Sequence, residues 1–322
     1  MAGGYVAHVV QGGDAQEIIQ RVQDLVRGLS PSGKFPGPNP CSIERRDFDA
    51  VDPRNLWICE KTDGTRALCV ALTVDGLKVC VTVTRSWEVA VVKTTNLPRV
   101  LFQGTVLDGE LVFDPSTSRW TWLGFDAIVA CGVPLWKLPF GQRLEAAHRA
   151  LGAYAAAPDD SLCLRFKTFY RATDIRAFRG SSVPWSSDGV ILTPDDAPVV
   201  VGRHPGMFKM KDTSKHSVDF AFSPPNCLSV YDPATRGHVV VGHLAGRNAG
   251  ALIAPGSILE CTKAPGGDMW TLVCLRRDKT TANDLLTYTK TYKVNIRESL
   301  TLDDLEHALN GRLEILTGPH AS

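Results

Sequence analysis

Residues 61–66 read Lys-Thr-Asp-Gly-Thr-Arg, and this stretch places an amine, a carboxylate and a guanidinium close together in the chain. Glycine at position 64 lets the backbone turn tightly or approach a ligand closely. The guanidinium of Arg66 offers a fork of donors for phosphate or ribose oxygens. A lysine amine that is desolvated or near other cations can be neutral at working pH, and it is then a nucleophile. The stretch is therefore a candidate for holding a phosphorylated ligand and attacking it through Lys61.

A structural interpretation of the same stretch stands beside this one. Asp63-Gly64 is a common turn dipeptide, and Lys61 and Arg66 would then be the solvated flanks of a hairpin. A short motif alone does not decide between the two interpretations. The rest of the chain has to decide.

Composition places the chain among globular proteins. Its 322 residues are 44% hydrophobic and 21% charged, which is enough for one large domain or two. No apolar run is long enough to cross a membrane, and residues 1–13 lack the features of a secretory signal, so we expect no membrane partner. The formal net charge is +1, whereas a protein that coats nucleic acid usually has a basic excess. Any contact with nucleic acid is therefore expected to be local, for example at a chain end.

The cysteines and histidines do not indicate a zinc site. None of the 9 cysteines forms a Cys-x-x-Cys pair, and the 8 histidines show no metal-ligand spacing. Several cysteines alternate with apolar residues in predicted strands. We expect them to be buried small hydrophobic residues in a reducing compartment.

Periodicity predicts an α+β domain over residues 1–215. Apolar residues at helical spacing predict a helix over 14–29, and a second, shorter helix is expected over 143–151, ending at Gly152. Alternation predicts a hairpin of 66–74 and 77–84 around Asp75-Gly76. Further strands are predicted at 106–113, 162–169 and 190–193.

The sequence pattern changes after Lys215, where short strands separated by Gly, Pro and Asn predict a small antiparallel barrel over 216–297. Its strands are expected at 218–222, 228–231, 239–244, 257–261 and 270–275. A last helix is predicted over 302–313, within a segment of 298–322 that we expect to pack on the first domain.

Four more clusters of charge accompany the opening stretch. Each has an ordinary alternative: a turn for Asp108-Gly109-Glu110, a capping role for Asp188, an exposed strand face for Lys209-Met210-Lys211 and a solvated loop for 276–279. Lysines spaced by two on a strand point to the same face. Taken together, the basic groups are suited to a triphosphate, and Glu110 and Asp188 to ribose hydroxyls or Mg²⁺.

In this order, the clusters resemble the motifs of covalent nucleotidyltransferases, the superfamily of mRNA capping guanylyltransferases and ATP- or NAD-dependent polynucleotide ligases. The resemblance spans about residues 35–300. It implies an ATP-grasp-like nucleotidyltransferase domain of antiparallel sheets followed by an OB-fold barrel. The matching segments are Lys61-Thr-Asp-Gly-Thr-Arg66, Arg85, Asp108-Gly-Glu110, Phe125-Asp126, Asp188-Gly189, Lys209-Met-Lys211 and Arg276-Arg-Asp278-Lys279.

Within that superfamily the details look like a capping guanylyltransferase. Asp188-Gly189 is typical of these enzymes, where ligases usually carry Glu-Gly. The proline-rich loop 35–43 and Asn283 after the last motif also resemble theirs. Two positions depart from the pattern, since Cys274 replaces a frequent arginine and Met210 replaces a common tryptophan. These departures concern fine phosphate contacts rather than the class of reaction.

The resemblance implies a role for each matched residue. Lys61 attacks the α-phosphate of GTP to form a lysyl-N–GMP phosphoramidate, and Asp188 assists the metal and the nucleophile. The remaining implied contacts are Arg66 and Glu110 with ribose, Arg85 with ribose or phosphate, Phe125 and Ile191 with the guanine faces, Lys167 with its O6 edge, Lys209 and Lys211 with the α-phosphate, and Arg276, Asp278 and Lys279 with the β- and γ-phosphates.

The implied activity is transfer of GMP from GTP to the 5′-diphosphate end of RNA, with Mg²⁺ or Mn²⁺ as cofactor and Asp188 and Glu110 as candidate metal ligands. RNA triphosphatase and cap methyltransferase would be separate proteins, and the RNA polymerase II tail is a further expected partner. The family implies nuclear residence, unless the origin is viral. Two alternatives remain: an ATP-dependent RNA or DNA ligase, and a catalytically inactive scaffold or RNA-end binder, against which the complete motif set argues.

Overall fold

The computed structural model describes residues 8–152, 154–211, 216–246, 253–264, 269–277, 279–296 and 299–317. The chain divides into two compact units. The first unit is drawn from residues 1–41, 51–209 and 309–322, and the second from residues 42–50 and 210–308. Among the described residues, no helix is both long enough and apolar enough to cross a membrane.

The first unit contains an eight-stranded sheet, which we call the large sheet. Its neighbouring strands are antiparallel except for the last pair, β8 and β10, which is parallel. In spatial order its strands are β1 (His8–Val9), β6 (Val89–Val91), β5 (Leu77–Thr84), β4 (Thr65–Val74), β7 (Thr105–Asp114), β8 (Arg119–Ala130) and β10 (Cys163–Phe166), with β9 (Val133–Pro134) paired to β8.

Both faces of the large sheet are buried because its central strands carry consecutive apolar residues, whose side chains point alternately to the two faces. On β4, Leu68 and Val70 pack in one core cluster with helix α1 (Gly12–Leu25). The intervening Ala67 and Cys69 pack in a second cluster, to which helix α2 (Phe140–Leu151) contributes. The sheet is thus a central layer between two helices, and β4 runs through its middle.

The predicted hairpin of β4 and β5 is confirmed. The two strands pair from Ala67–Thr84 to Val74–Leu77. The turn residues Asp75 and Gly76 have φ angles of +47° and +80°. Positive φ at both positions is the geometry of the tight turns that match strand twist, which explains the Asp-Gly signal.

The two predicted helices of the first unit exist with shifted bounds. The first was expected to reach residue 29, but it ends at Leu25, and Leu29 and Ser30 both donate to the Val26 carbonyl in a turn. Gly28 disfavours a further helical turn there. The second begins at Phe140, after Pro139, and ends at Gly152 as expected.

A second sheet in the first unit, which we call the small sheet, carries the other half of the opening stretch. Its strands, in order, are β11 (Tyr170–Arg171), β3 (Leu56–Thr62), β12 (Ser187–Pro194), β13 (Gly202–Lys211) and β2 (Pro38–Ser42). A short helix, α3 (Ile175–Arg179), lies between β11 and β12 in the chain. In the large sheet, the strand predicted over 162–169 is observed as β10, which is shorter than predicted because it ends at Phe166.

The second unit contains a closed barrel, as the strand spacing predicted, but the barrel is not wholly antiparallel, because His243–Leu244 pairs in parallel with Met269–Trp270. Its order is β14 (Ser217–Ser223), β15 (Cys227–Asp232), β16 (Gly237–Leu244), β18 (Met269–Leu275) and β17 (Ile258–Lys263), with β17 returning to β14. Phe220, Phe222 and Trp270 are fully buried in its core. Helix α4 (Leu285–Thr289) and a π-helical turn over 290–296 follow, and helix α5 (Leu302–Thr317) covers the predicted last helix.

The cysteines are free, and most are at least half-buried, as expected. Cys274 is an exception, because it is exposed on β18, and its Sγ lies 3.5 Å from Glu260 Oε2. The expectation of a buried cysteine is therefore wrong at this position. Alternation on a short strand did not indicate which face is covered.

Candidate nucleotide-binding site

The first unit contains a cavity of about 140 Å³ lined by residues of both its sheets. Six of the residues predicted for a nucleotide site line it. They are Lys61, Arg66, Glu110, Phe125, Lys167 and Ile191. The lining also contains Pro38, Pro40, Cys59, Thr62, Asp126, Phe140, Phe169, Thr193 and Met207, to which the sequence assigned no ligand contact.

The opening stretch connects the two sheets, since Lys61 lies near the end of β3 in the small sheet and Arg66 near the start of β4 in the large one. Asp63 and Gly64 form the link. The alternative that this dipeptide closes a hairpin of β3 and β4 is wrong, because the two strands do not pair. The stretch instead brings the amine and the guanidinium to one cavity from different sheets.

Gly64 is required here by a close approach of the backbone. A Cβ at this position would lie 2.4 Å from the Leu111 carbonyl oxygen and 2.9 Å from Glu110 Cγ. The Gly64 backbone N–H also acts to lower the pKa of Glu110. Glycine therefore lets the link pack against β7, and this packing brings Glu110 beside the opening stretch.

Lys61 forms an ion pair with Asp188, whose Oδ1 lies 2.7 Å from Lys61 Nζ. The side chain of Lys61 is 20% exposed and that of Asp188 is 9% exposed, so the amine is accessible while the carboxylate is nearly covered. Their strands are held together by Ser187 Oγ, which donates to the Lys61 carbonyl at 2.9 Å. The pairing of β3 with β12 is irregular between Ser187 and Val190, and this irregularity lies at Asp188.

Glu110 and Lys167 form a second, weaker ion pair in the cavity wall, with Lys167 Nζ 3.7 Å from Glu110 Oε2. Lys167 is buried, and its amine also donates to the Glu60 carbonyl at 3.2 Å. It lies 5.4 Å from the centre of the Phe125 ring. Burial raises the pKa of Glu110, although the charges of Lys167 and Lys61 oppose that shift. Lys167 thus has a fixed position beside the ring predicted to stack on guanine.

The guanidinium of Arg66 binds the carboxylate of Asp108, whereas the sequence predicted that its N–H groups would face a ligand. Its Nε and Nη2 donate to the two carboxylate oxygens of Asp108 at 3.0 and 2.5 Å, and Nη1 donates to the Pro38 carbonyl at 2.8 Å. Asp108 is fully buried in the interior of β7, so the alternative of an exposed hairpin turn at Asp108-Gly109 is wrong. Burial raises the pKa of Asp108, and the Arg66 charge opposes it. The sequence motif includes Asp108, but its pairing with Arg66 was not predicted.

Asn39 joins the two predicted arginines. Its Oδ1 accepts from Arg66 Nη1 at 3.2 Å and from Arg85 Nη2. The pKa of Arg85 is lowered by burial and then by the charge of Arg66. Arg85 does not line the cavity and reaches the site through this shared contact. Asn39 lies on strand β2, where a loop was expected, and a single asparagine has no distinctive spacing that would predict this contact.

A buried ion pair supports the cavity wall beside Phe125. The Asp126 carboxylate accepts from Arg143 Nε at 2.7 Å and Nη2 at 2.9 Å, and both side chains are almost fully buried. The sequence motifs include Asp126, whereas Arg143 is predicted only as the first residue of a helix. The pair joins β8 to α2 and fixes the strand that carries Phe125.

The two lysines of β13 lie as the spacing predicted. Lys209 and Lys211 are half-buried on one face of the strand, and Met210 between them is buried on the other. Neither lysine is among the residues that line the cavity. Their predicted contact with the α-phosphate stays a prediction.

In the second unit, Arg276 and Lys279 converge on Asp219. Arg276 Nη1 lies 3.0 Å from Asp219 Oδ1, and Lys279 Nζ lies 2.5 Å from Asp219 Oδ2. Asp219 is 6% exposed. It belongs to none of the sequence motifs. Asp278, the third predicted phosphate residue of this motif, lies outside the described residues. One buried carboxylate thus holds two of the predicted phosphate-binding cations.

We expect Asp219→Asn to lower the free energy of unfolding by about 1–3 kcal/mol, because it removes the charge that two hydrogen-bonded cations share. Urea unfolding followed by circular dichroism measures the change. Asp232→Asn is the matched control, since asparagine there still accepts from Ala234 N in an exposed turn. Equal losses in the two variants would show that the Asp219 pairs do not stabilise the barrel.

Comparison with known proteins agrees with the motifs. A family model for the catalytic domain of mRNA capping enzymes matches residues 2–213. The mRNA-capping enzyme subunit alpha of Candida glabrata is 25% identical over 389 residues, which cover 94% of this chain and 86% of that protein. The Saccharomyces cerevisiae subunit is 29% identical over 241 residues, which cover 65% of this chain but only 52% of that protein. The chain thus spans about half the length of several of its relatives.

Among solved structures, a Lig E DNA ligase has a TM-score of 0.39 and 16% identity, covering 75% of this chain and 99% of that one. The ligase domain of LigD from M. tuberculosis has a TM-score of 0.34 and 15% identity, covering 76% and 96%.

The fold and the family match together define a nucleotidyltransferase. More narrowly, the chain belongs to the mRNA capping enzyme family, whose catalytic-domain model spans most of it. The family predicted from the ordered motifs is confirmed.

Proposed function

We propose that the chain is an mRNA guanylyltransferase that transfers GMP from GTP to the 5′-diphosphate end of RNA through a covalent lysyl intermediate. The observation that carries the proposal is the Lys61–Asp188 pair. An accessible amine lies 2.7 Å from a nearly covered carboxylate, and the amine lines a cavity whose aromatic, aliphatic and charged side chains suit the chemistry of a nucleoside. The family match supplies the reaction class.

In the first step Lys61 Nζ attacks the α-phosphorus of GTP. A P–N bond forms, the bond from the α-phosphorus to the bridging oxygen of the β-phosphate breaks, and pyrophosphate leaves with the electron pair. The amine must lose its proton for this attack, and Asp188 is a carboxylate placed to accept it or to orient the amine. Phosphoryl transfer depends mainly on positioning and charge neutralisation, which such a pair provides.

In the second step a terminal phosphate oxygen of the RNA 5′-diphosphate attacks the same phosphorus. The P–N bond breaks, Lys61 regains its proton, and a 5′–5′ triphosphate linkage joins GMP to RNA. A covalent intermediate lets one site serve two acceptors in turn. This order also agrees with the near-neutral net charge, because the enzyme needs to bind only the end of its RNA.

The cavity wall supports the proposed position of the nucleoside. Phe125 and Ile191 lie on opposite sheets and line the same cavity, so they are suited to the two faces of a guanine ring. Lys167, 5.4 Å from the Phe125 ring centre, is the candidate donor to O6. Glu110 and Arg66 remain the candidates for binding the ribose, and the Arg66 guanidinium already donates two hydrogen bonds to Asp108.

The phosphate contacts proposed for Lys209, Lys211, Arg276, Asp278 and Lys279 rest on the family resemblance. The barrel adds a condition for two of them. Because Arg276 and Lys279 are bound to Asp219, phosphate oxygens must compete with that carboxylate for the same donors.

Mg²⁺ or Mn²⁺ is part of the proposal, with Asp188 and Glu110 as candidate ligands. Within the described ranges, no three His, Cys, Asp or Glu side chains converge on one point. The chemistry of the donor set nevertheless fits Mg²⁺, which is usually bound by one or two carboxylates together with substrate phosphates and water. When bound, the ion would neutralise charge on the phosphates.

The proposed partners are GTP and the 5′ end of RNA, together with a separate RNA triphosphatase, a separate cap methyltransferase and the RNA polymerase II tail. Nuclear residence is proposed from the relatives, which are eukaryotic mRNA-capping enzymes.

Incubation with α-labelled GTP or ATP, followed by denaturing electrophoresis, tests the proposal. We expect label from GTP to remain on the protein and to pass to RNA with a 5′-diphosphate end. Label retained from ATP alone would establish the ligase alternative and overturn the proposal. Failure to label with either nucleotide would favour an inactive scaffold.

A further inference from the structure

Thr193 is a cavity residue with no role in the chemistry described above. It lies on β12 two residues beyond Ile191, so the two side chains project from the same face of the strand. Both line the cavity, and Thr193 is only 2% exposed. Its hydroxyl therefore belongs to a buried residue and lines the space proposed for the nucleoside.

The hydroxyl of Thr193 has no hydrogen-bond partner among the side chains and backbone groups of the described residues. Thr62, the other threonine in the lining, differs, because its Oγ1 lies 3.5 Å from Glu60 Oε1. Cys59, opposite Ile191 in the strand pair, is a thiol whose pKa burial raises to about 12, so it stays neutral. A hydroxyl that lines a cavity and has no partner in the protein is available to hydrogen-bond a ligand placed there.

Strand register places Thr193 at the end of the cavity away from the nucleophile. Cys59 pairs with Ile191, and Trp57 pairs with Thr193. Trp57 and Lys61 are four residues apart on β3, which corresponds to ~13 Å along the strand. The hydroxyl is therefore too far from Lys61 to act on the α-phosphate, and it lies beyond the residue proposed to cover the base.

We infer that Thr193 is a specificity-determining residue whose hydroxyl hydrogen-bonds the edge groups that distinguish guanine from adenine. This inference rests on the proposed function. Lys167 is a cation that can only donate, whereas a threonine hydroxyl both donates and accepts. The two residues together can match the mixed donors and acceptors on the guanine edge. A site built to hydrogen-bond a base discriminates strongly, because the wrong base leaves its polar groups unpaired.

The competing explanation is that Thr193 is an ordinary β-branched strand residue. The two explanations predict opposite effects of Thr193→Val, which replaces the hydroxyl with a methyl of similar shape. If the hydroxyl serves only the ligand, the nucleotide-free variant unfolds at the same temperature as the wild type or higher, since no hydrogen bond within the protein is lost. If it serves the fold, the unfolding temperature falls.

The experiment compares wild type, Thr193→Val and Thr193→Ser. For lysyl-GMP formation we expect Thr193→Val to raise KM for GTP about tenfold with kcat nearly unchanged, and Thr193→Ser to restore the wild-type KM. The inhibition constant of unlabelled ATP against GTP should not rise in Thr193→Val. Unchanged KM for GTP, parallel losses for both nucleotides or a lowered unfolding temperature would each overturn the inference. Wild type labelled by ATP alone would instead refute the proposed function.

Discussion

Replacing Lys61 by alanine is expected to abolish covalent labelling by α-labelled GTP, with a loss of at least about 10³-fold. In the proposed mechanism the Lys61 amine forms the P–N bond, so no neighbouring group is expected to substitute for it. Lys61→Arg should be equally inactive, because a guanidinium keeps the positive charge but stays protonated. Labelling followed by denaturing electrophoresis measures the result, and circular dichroism confirms that both variants fold.

Lys93→Ala is the matched control for Lys61→Ala. Lys93 is a surface lysine of the same unit, 65% exposed and 3.7 Å from Asp159, and its loss should leave labelling within about twofold of wild type. If Lys61→Ala labelled as strongly as the control, the nucleophile would be another lysine. Peptide mapping of the labelled wild-type protein would then identify it.

Elements with strong local signals could be predicted from the sequence. The β4–β5 hairpin follows from Asp75-Gly76 between two alternating runs, and its turn has the positive φ angles that this dipeptide tolerates. The barrel strands of the second unit were likewise located by their spacing and turn residues. In both cases the information lies within about ten residues, the range over which propensity and turn chemistry act.

The route of the chain through 61–66 could not be predicted in the same way. Asp63-Gly64 has the same local signal as Asp75-Gly76, yet it links strands of two different sheets. The difference arises from long-range pairing, since β4 takes β5 and β7 as neighbours and β3 takes β11 and β12. Local sequence contains little information about such partners.

The ionic partners of the motif residues were missed for a related reason. Asp108, Arg143, Asn39 and Asp219 each bind a charged residue that is distant in sequence. The motifs identified charged groups but not which of them neutralise one another. Arg66 shows the consequence, because the fork expected to face a ligand is engaged by a buried carboxylate.

The Arg66–Asp108 pair yields the second large prediction. Asp108→Asn is expected to lower the free energy of unfolding by about 3–5 kcal/mol, because the mostly buried guanidinium loses the charge that balances it. Neutralising both groups, as Arg66→Met with Asp108→Asn, should cost less than the losses of the single variants Arg66→Met and Asp108→Asn added together. Urea unfolding of the four proteins gives this double-mutant cycle.

Labelling of the same four proteins separates the two roles of Arg66. If its part is to fix the wall of the cavity, the stable double variant should regain labelling relative to Asp108→Asn, because the strands β4 and β7 pack again. If it also contacts ribose, the double variant should fold yet keep a raised KM for GTP. If each single variant lowered the free energy of unfolding by less than about 1 kcal/mol, the pair would not be important for the fold. A buried charge that loses its partner should destabilise the protein by more than that.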